Sequence, residues 1–194
     1  MCSFAPERLS RRIMTTMDAI AINIAGFAFN PITREPVILL KRAGEPDPVK
    51  RLVPIVMGAS EAHAIITALQ GSEPPRPMTH DLMASIMTTL QGEAQRVDIH
   101  SFRDGTYFAT LTIMQNGVTF MLDTRPSDAI ALAVRCGTPL FMNEKVFDAT
   151  SVETNVVSQQ VGPNVDASSP QAAQILNAIH NFAENVQPSD FKTP

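Results

Sequence analysis

The sequence predicts an α+β domain with a mixed or mainly antiparallel sheet that is flanked by helices. Two dipeptides that are typical of tight hairpin turns, Asp104-Gly105 and Asn116-Gly117, separate three strand-like runs and predict a three-stranded meander. Two runs with helical spacing, which end at Gly71 and Gly92, indicate helices before the meander. Alternating isoleucines at the beginning of the domain add a half-buried strand to the sheet.

Three strands are predicted ahead of the helices. In residues 18–29, Ile20, Ile22 and Ile24 alternate with other residues, which is the period of a half-buried strand. Residues 36–41 can return antiparallel to it. Residues 52–57 form the third strand, in which Pro54 is expected to mark a sheet edge or a bulge.

Two helices are expected next, over residues 61–70 and 81–91, with Ser60 and Thr79 as their N-caps. The prolines at 74–77 predict a stiff, extended connection between them.

The meander should occupy residues 96–102, 107–114 and 118–123. Its last strand leads into a helix from Pro126 to Val134, which is apolar at nearly every position and is therefore expected to be buried. Residues 140–142 are predicted to form a short final strand.

The chain divides into four predicted segments: a flexible N-terminal extension (1–16), the α+β domain (17–148), a mobile linker (149–170) and a C-terminal helix with a tail (171–194). The linker prediction follows from a polar composition without periodicity. The last segment has helical spacing from Ile175 to Ala183, and this helix could pack on its own domain or on a partner subunit.

Net charge, cysteine content and the lack of long apolar runs restrict the classes of protein to which the chain can belong. The net charge is −4 and no segment is strongly basic, so any binding to nucleic acid should be weak, local or assisted by a metal ion. Only Cys2 and Cys136 are present, which favours a reducing compartment. No run approaches the ~18 apolar residues of a membrane span, and the first sixteen residues lack the apolar core of a secretory signal. We therefore expect a cytoplasmic protein without membrane contact.

Two stretches built alike supply the candidate site: Arg76-Pro77-Met78-Thr79-His80-Asp81 and Asp123-Thr124-Arg125-Pro126-Ser127-Asp128. Each places Arg-Pro before a hydroxyl residue and an acid at the start of a helical run. Proline fits the first helical turn, Ser or Thr can cap it, and the helix dipole stabilises the acid. Two such ends, each with a guanidinium and a carboxylate, could form one site for a phosphate or a metal ion.

Five motifs follow one another in the domain: VPIVMG (53–58), EA (61–62), PRPMTHDL (75–82), DGTYFA (104–109) and RPSDAIALA (125–133). In order and spacing they resemble the bifunctional nuclease domain family, from about Asp18 to Asp148. The closing PSDF (188–191) resembles the tail of actinobacterial members. The resemblance implies a compact α+β domain, often associated as a homodimer, and the DNase and RNase activity reported for some plant members.

Hydrolysis of a phosphodiester bond needs an activated water and neutralisation of phosphate charge, which carboxylates holding Mg²⁺ or Mn²⁺ can provide. The expected metal ligands are Asp123, Asp128 and Glu61. His80 is the candidate general base, because imidazole titrates near neutrality, and Asp81 and Asp128 complete the catalytic candidates.

Substrate binding is assigned to Arg76 and Arg125, whose guanidinium groups can bind a phosphate through two hydrogen bonds. Thr79 and Ser127, at the helix starts, are the other substrate-binding candidates.

A structural interpretation accounts for the same residues. Asp81 and Asp128 would complement helix dipoles, Arg76 and Arg125 would tie two loops together through ion pairs, and His80 would be a hydrogen-bonded structural histidine. The alternative to a nuclease is then a non-catalytic module that binds an anion or a partner protein.

Overall fold

The computed structural model describes residues 18–30, 33–45, 51–72 and 74–153. These residues form eight strands and four helices: β1 (Ala19–Phe29), β2 (Pro36–Arg42), β3 (Arg51–Val56), α1 (Ala59–Leu69), α2 (Thr79–Thr89), β4 (Gly92–Arg103), β5 (Thr106–Gln115), β6 (Val118–Thr124), α3 (Pro126–Cys136), β7 (Leu140–Asn143), α4 (Glu144–Thr150) and β8 (Val152–Glu153). The predicted α+β class is confirmed. The predicted extension at 1–16 and the C-terminal helix and tail at 171–194 lie outside the described residues.

The strands form one sheet in the order β6-β5-β4-β7-β1-β2-β3-β8. Neighbouring strands are antiparallel except β4 and β7, which are parallel, so the sheet is mixed and mainly antiparallel, as predicted. β7 lies between β4 and β1 and thereby joins the meander β4–β6 to the N-terminal strands β1–β3.

The two hairpin turns of the meander have the backbone that their sequence predicts. Asp104 and Gly105 have φ angles of 49° and 76°, and Asn116 and Gly117 have the same pair of values. Positive φ at both central positions matches the twist of the flanking strands, and Asx-Gly adopts it with little strain. These dipeptides therefore set the register of three consecutive strands.

The pairing of β3 with its neighbouring strands explains why a proline is tolerated at position 54. It lies opposite Leu39 of β2, while β8 pairs only with Arg51 and Leu52 of β3. At Pro54, β3 therefore has no second strand beside it among the described residues, which is the edge position that the proline predicted.

The structure differs from the prediction at residues 149–153, which were expected to begin a mobile linker. They complete α4 and form β8. A seven-residue helix and a two-residue strand are too short to show a period in the sequence. The available local signal is Asn143, whose side chain caps α4 by accepting a hydrogen bond from the Lys145 amide at 3.0 Å.

The first two helices begin earlier than predicted. Gly58 is the N-cap of α1 and Met78 is the N-cap of α2, so neither Ser60 nor Thr79 has the capping position expected of it. At α2 the capping contact comes from within the helix, because Asp81 Oδ2 accepts a hydrogen bond from the Met78 amide at 2.8 Å.

α3 occupies the centre of the helical layer. It contacts α1, α2, β4 and β5, and its apolar side chains are buried, as predicted. Gly137, with φ of 66°, ends it in the left-handed conformation. No helix among the described residues has the length and apolar character needed to cross a membrane. The central position of α3 places its first turn between those of its two neighbours.

Candidate functional site

Each of the three large helices carries one acid in its first turn: Glu61 in α1, Asp81 in α2 and Asp128 in α3. The positive end of a helix dipole stabilises a carboxylate at this position. Since α3 packs against both other helices, ion pairs and hydrogen bonds can connect the three first turns.

Arg125 connects α1 to α3. It is the N-cap residue of α3, followed by Pro126 in the first turn. Its Nε lies 2.7 Å from Asp128 Oδ2, and its Nη2 lies 3.1 Å from Asp128 Oδ1 and 2.9 Å from Glu61 Oε1. The Arg125 side chain is 66% exposed, whereas those of Glu61 and Asp128 are 17% and 26% exposed. One solvent-facing cation thus lies between two carboxylates that are mostly covered.

Gly58 leaves room for this arrangement. A Cβ atom on Gly58 would collide with Oε2 of Glu61, so the glutamate side chain lies back over its own N-cap. Ser60 donates a weak hydrogen bond to the same oxygen at 3.4 Å. A glycine at this corner therefore permits the position that Glu61 takes beside Arg125.

His80 connects α2 to α3. Its Nε2 lies 3.2 Å from Asp128 Oδ1, and its side chain is 10% exposed. In the neutral ring, Nε2–H donates to the carboxylate, which leaves the lone pair on Nδ1 as the position that can take up a proton. Burial raises the pKa of Asp128, but hydrogen bonds from Arg125 and His80 outweigh it and hold that pKa below its ordinary range. Asp128 is therefore charged, and its carboxylate orients the imidazole of His80.

A second ion pair joins Arg135 to Asp81, the residue that follows His80 in the chain. The Arg135 side chain is 9% exposed, and its Nε donates to Oδ1 of Asp81. Its Nη1 donates to the carbonyl oxygens of Ala64 in α1 at 3.0 Å and Ala131 in α3 at 2.9 Å. Arg135 thus links three helices and fixes the acid that follows His80.

Sequence reasoning missed Arg135. The signal was available, because this arginine directly follows the predicted helix Pro126–Val134, which is apolar at nearly every position, and in the structure it lies in the last turn of α3. A charged side chain in such a helix needs a partner, and an acid in the first turn of a neighbouring helix can supply one.

The remaining substrate-binding candidates are less well connected. Arg76 and Thr79 are exposed, and the Arg76 side chain forms no ion pair with the described residues. Ser127 is 8% exposed, in the first turn of α3. The structure thus brings together Glu61, His80, Arg125 and Asp128, with Asp81 held beside them by Arg135.

Asp123 is placed elsewhere, against the expectation that it would join Glu61 and Asp128 as a metal ligand. In the β5–β6 pairing, Leu111 lies opposite Leu122 and packs in the cluster with α3, while Thr110 lies opposite Asp123. Successive side chains of a strand point to opposite faces, so Asp123 faces away from α3. Among the described residues, no group of three or more His, Cys, Asp or Glu side chains could hold a metal ion.

The lowered pKa values predict a loss of stability in acid. The hydrogen bond from Arg135 holds the pKa of Asp81 below its usual 3.8, and the pKa of Asp128 is also lowered. Carboxylates that are stronger acids in the folded state contribute fully above the unfolded pKa of about 4 and lose that contribution as the pH falls through the folded values. We expect the free energy of unfolding in urea to decline below pH 4, and to decline less in Asp81→Asn. Parallel pH profiles for the two proteins would contradict this.

Comparison with known proteins identifies the family of this chain. Residues 38–155 match the bifunctional nuclease domain. An uncharacterized protein of Mycobacterium tuberculosis is 31% identical over 171 residues, which cover 88% of this chain and 97% of that protein. Bifunctional nuclease 1 of Oryza sativa subsp. japonica is 31% identical over 99 residues, which cover 49% of this chain and 30% of that protein. The matched range includes every residue of the site from Glu61 to Arg135, and the chain belongs to the bifunctional nuclease domain family.

Proposed function

We propose that this protein is a nuclease that hydrolyses phosphodiester bonds of DNA, RNA or both with the help of a divalent metal ion. The observation that carries the proposal is the shared carboxylate of Asp128, which contacts the imidazole of His80 and the exposed guanidinium of Arg125. A proton acceptor and a phosphate-binding cation are thereby fixed to one acid. We place the activity in the cytoplasm, as the cysteine content indicates.

His80 is the general base of this proposal. With Nε2–H donated to Asp128, Nδ1 can take a proton from an attacking water, and the neighbouring carboxylate stabilises the imidazolium that results. As the water oxygen bonds to phosphorus, the P–O bond to the leaving oxygen breaks, and the proton held by His80 passes to that oxygen or to solvent. Asp81 acts on the same histidine indirectly, because it fixes the first turn of α2.

Glu61 and Asp128 are the proposed metal ligands. Both contact the same nitrogen of Arg125, so a cation already lies between their carboxylates. Mg²⁺ commonly takes one or two carboxylates and completes its shell with water and substrate phosphates, so two acids fit it. When bound, the ion would neutralise charge on the phosphate that is attacked. Asp123, on the other face of the sheet, is not part of this ligand set.

Arg125 binds the phosphate in this proposal. Its guanidinium faces solvent and is the most exposed group of the site. Arg76, exposed on the loop before α2, is the second cation available to the substrate, with Thr79 and Ser127 at the two helix starts. The chain is acidic overall and offers only two arginines to the phosphates, so we expect binding to nucleic acid to be weak and its affinity to fall only modestly with added salt.

The full chain is tested on end-labelled single-stranded DNA and on RNA, with Mg²⁺ or Mn²⁺ and with EDTA. We expect the metal ion to support cleavage and EDTA to abolish it, because without the ion the charge on the attacked phosphate would not be neutralised. Cleavage that persists unchanged in EDTA contradicts the metal dependence. Absence of cleavage under every condition contradicts the nuclease.

One observation favours a second candidate, a non-catalytic module that binds an anion or a partner protein. Every acid of the site is already paired with an arginine or a histidine, as in a purely structural network. Titration with inorganic phosphate separates the two candidates. Phosphate binding that Arg125→Ala removes, in a protein that cleaves no nucleic acid, would support the module.

A further inference from the structure

The face of the sheet that is turned away from α1 and α3 carries a second apolar cluster. In β2, Ile38 and Leu40 pack with α1 and α3 in the main core, so Val37 and Leu39, which alternate with them, point to the other face. We call the cluster on that face the outer cluster; its members are Ala25, Ala28, Val37, Leu39, Leu52 and Val152. Among the described residues it is built by strands β1, β2, β3 and β8 alone.

The outer cluster is covered, although no described helix contributes a side chain to it. Leu39 is 0% exposed, and Ala28, Val37 and Leu52 are each 2% exposed. Side chains on one face of a sheet stand roughly perpendicular to it, so their tips stay open to solvent unless a second layer packs on them. Val56, which pairs with Val37 on the same face, is 51% exposed. The second layer therefore comes from outside the described residues and ends before Val56.

We propose that the C-terminal segment, residues 171–186, packs on the outer cluster of its own chain as an amphipathic helix. Its large apolar residues recur at helical spacing and share one face; with Ala183 they are Ile175, Leu176, Ile179 and Phe182. A helix of this length is about 24 Å long, which is enough to cross three strands that lie ~4.8 Å apart. The occupant belongs to the same chain, because the burial of the outer cluster arises within a single copy.

The place where the described chain ends favours this segment. β8 is the last described element, and its Val152 packs against the outer cluster. β8 lies three strand spacings, or about 14 Å, from β1. Residues 154–170 reach up to roughly 55 Å when extended, so the connection is long enough. The N-terminal segment enters instead at Ala19, the end of β1 that is remote from Ala28, and has three arginines within residues 8–12.

Thiol reactivity on the outer face tests the proposal in the full chain. In a Cys2→Ser, Cys136→Ser background, Val37→Cys places one thiol beneath the proposed helix, and Val56→Cys places a matched thiol beside it. Each variant is mixed with dithiobis(nitrobenzoate), and the rate of thiol release is followed. We expect the Val37→Cys thiol to react on the order of tenfold more slowly or less, because the reagent reaches it only when the helix opens.

A charge on the apolar side of the segment should remove this protection. Ile179→Asp, added to the Val37→Cys protein, should raise the thiol rate on the order of tenfold, because a carboxylate is not stable in an apolar contact. The matched change Asn177→Asp introduces the same charge on the polar side of the helix and should leave the rate as it was. Neither change should alter the rate of the Val56→Cys thiol.

A tryptophan reporter gives a second test, since the chain has no tryptophan of its own. Phe182→Trp places the indole on the apolar side of the segment, and the matched Asn181→Trp places it on the polar side. We expect the indole at position 182 to emit at a shorter wavelength and to resist quenching by acrylamide, because it is buried against the outer cluster. The indole at position 181 should emit and be quenched as in water.

Equal thiol rates in Val37→Cys and Val56→Cys overturn the proposal, as does a protected Val37→Cys thiol that Ile179→Asp leaves unchanged. If Ile13→Asp releases that thiol and Ile179→Asp does not, the cover is the N-terminal segment and the proposal is wrong. Identical emission and quenching of the two tryptophan variants contradict it as well, and this result requires no charge in the core. None of these measurements depends on the proposed nuclease activity.

Discussion

Asp128→Asn is expected to lower the rate of phosphodiester cleavage by a factor of about 10² to 10⁴, the usual contribution of a positioned general base. The carboxylate of Asp128 accepts from His80 Nε2 at 3.2 Å and from Arg125 at 2.7 and 3.1 Å. An amide at this position removes the charge that stabilises a protonated imidazole and loosens the guanidinium. His80→Ala should cause a loss of similar size, since both changes disable one proton acceptor. The measurement is the single-turnover rate on a labelled oligonucleotide.

Two matched controls make this result specific. Asp98→Asn removes a carboxylate that is 22% exposed and paired with Arg96, so it is similarly placed but outside the site. Asp123→Asn removes the acid that faces away from α3. Both variants should keep close to the wild-type rate. A wild-type rate in Asp128→Asn and His80→Ala, with melting curves that show folded protein, would mean that these residues do not carry the cleavage.

Arg135→Met is expected to lower the free energy of unfolding by about 3 kcal/mol, the lower end of the range for breaking a buried ion pair, because Arg135 is covered but Asp81 is 29% exposed. Arg135 is 9% exposed and donates to Asp81, Ala64 and Ala131. Without it, the Asp81 carboxylate stays charged and partly covered with no cation beside it. For a chain of this size, the corresponding fall in melting temperature is roughly 6 to 12 °C. Urea unfolding at neutral pH measures the free energy directly.

The comparison variant is Arg42→Met, which removes a pair with Glu144 whose side chains are 41% and 47% exposed. A surface pair of this kind contributes at most about 1 kcal/mol. Arg135→Lys should fall between the two, because lysine keeps the charge but cannot donate in three directions from a planar group. Equal losses in Arg135→Met and Arg42→Met would contradict the buried role of Arg135.

Local chemistry made most of the fold predictable. Asp104-Gly105 and Asn116-Gly117 determine their turns through backbone preferences that act within two residues, and the meander followed from them. The apolar run after Pro126 predicted a buried helix for a similarly local reason. The short elements α4 and β8 were missed because neither is long enough to show a period.

The candidate site was only partly predictable, because it depends on contacts between distant parts of the chain. The similarity of the two Arg-Pro stretches suggested that they could share one site, and in the structure His80 of one stretch lies 3.2 Å from Asp128 of the other. It could not indicate Arg135, whose partners lie in two other helices. Asp123 is grouped with Asp128 in the sequence because both acids belong to the second Arg-Pro stretch. The last strand residues before a helix, however, follow the strand's alternation, and that rule directs Asp123 to the other face.

The position of β7 has a consequence for how the chain folds. Strands β1–β3 and strands β4–β6 each consist of neighbours in sequence. β7, in contrast, pairs residues that are far apart in the chain: Asn143 with Ala19, and Leu140 with Val97. Closing such long loops is slow, so the halves are expected to acquire their hairpins first and to unite late. Until that step two further sheet edges are open, and the nascent protein is at that stage most exposed to aggregation.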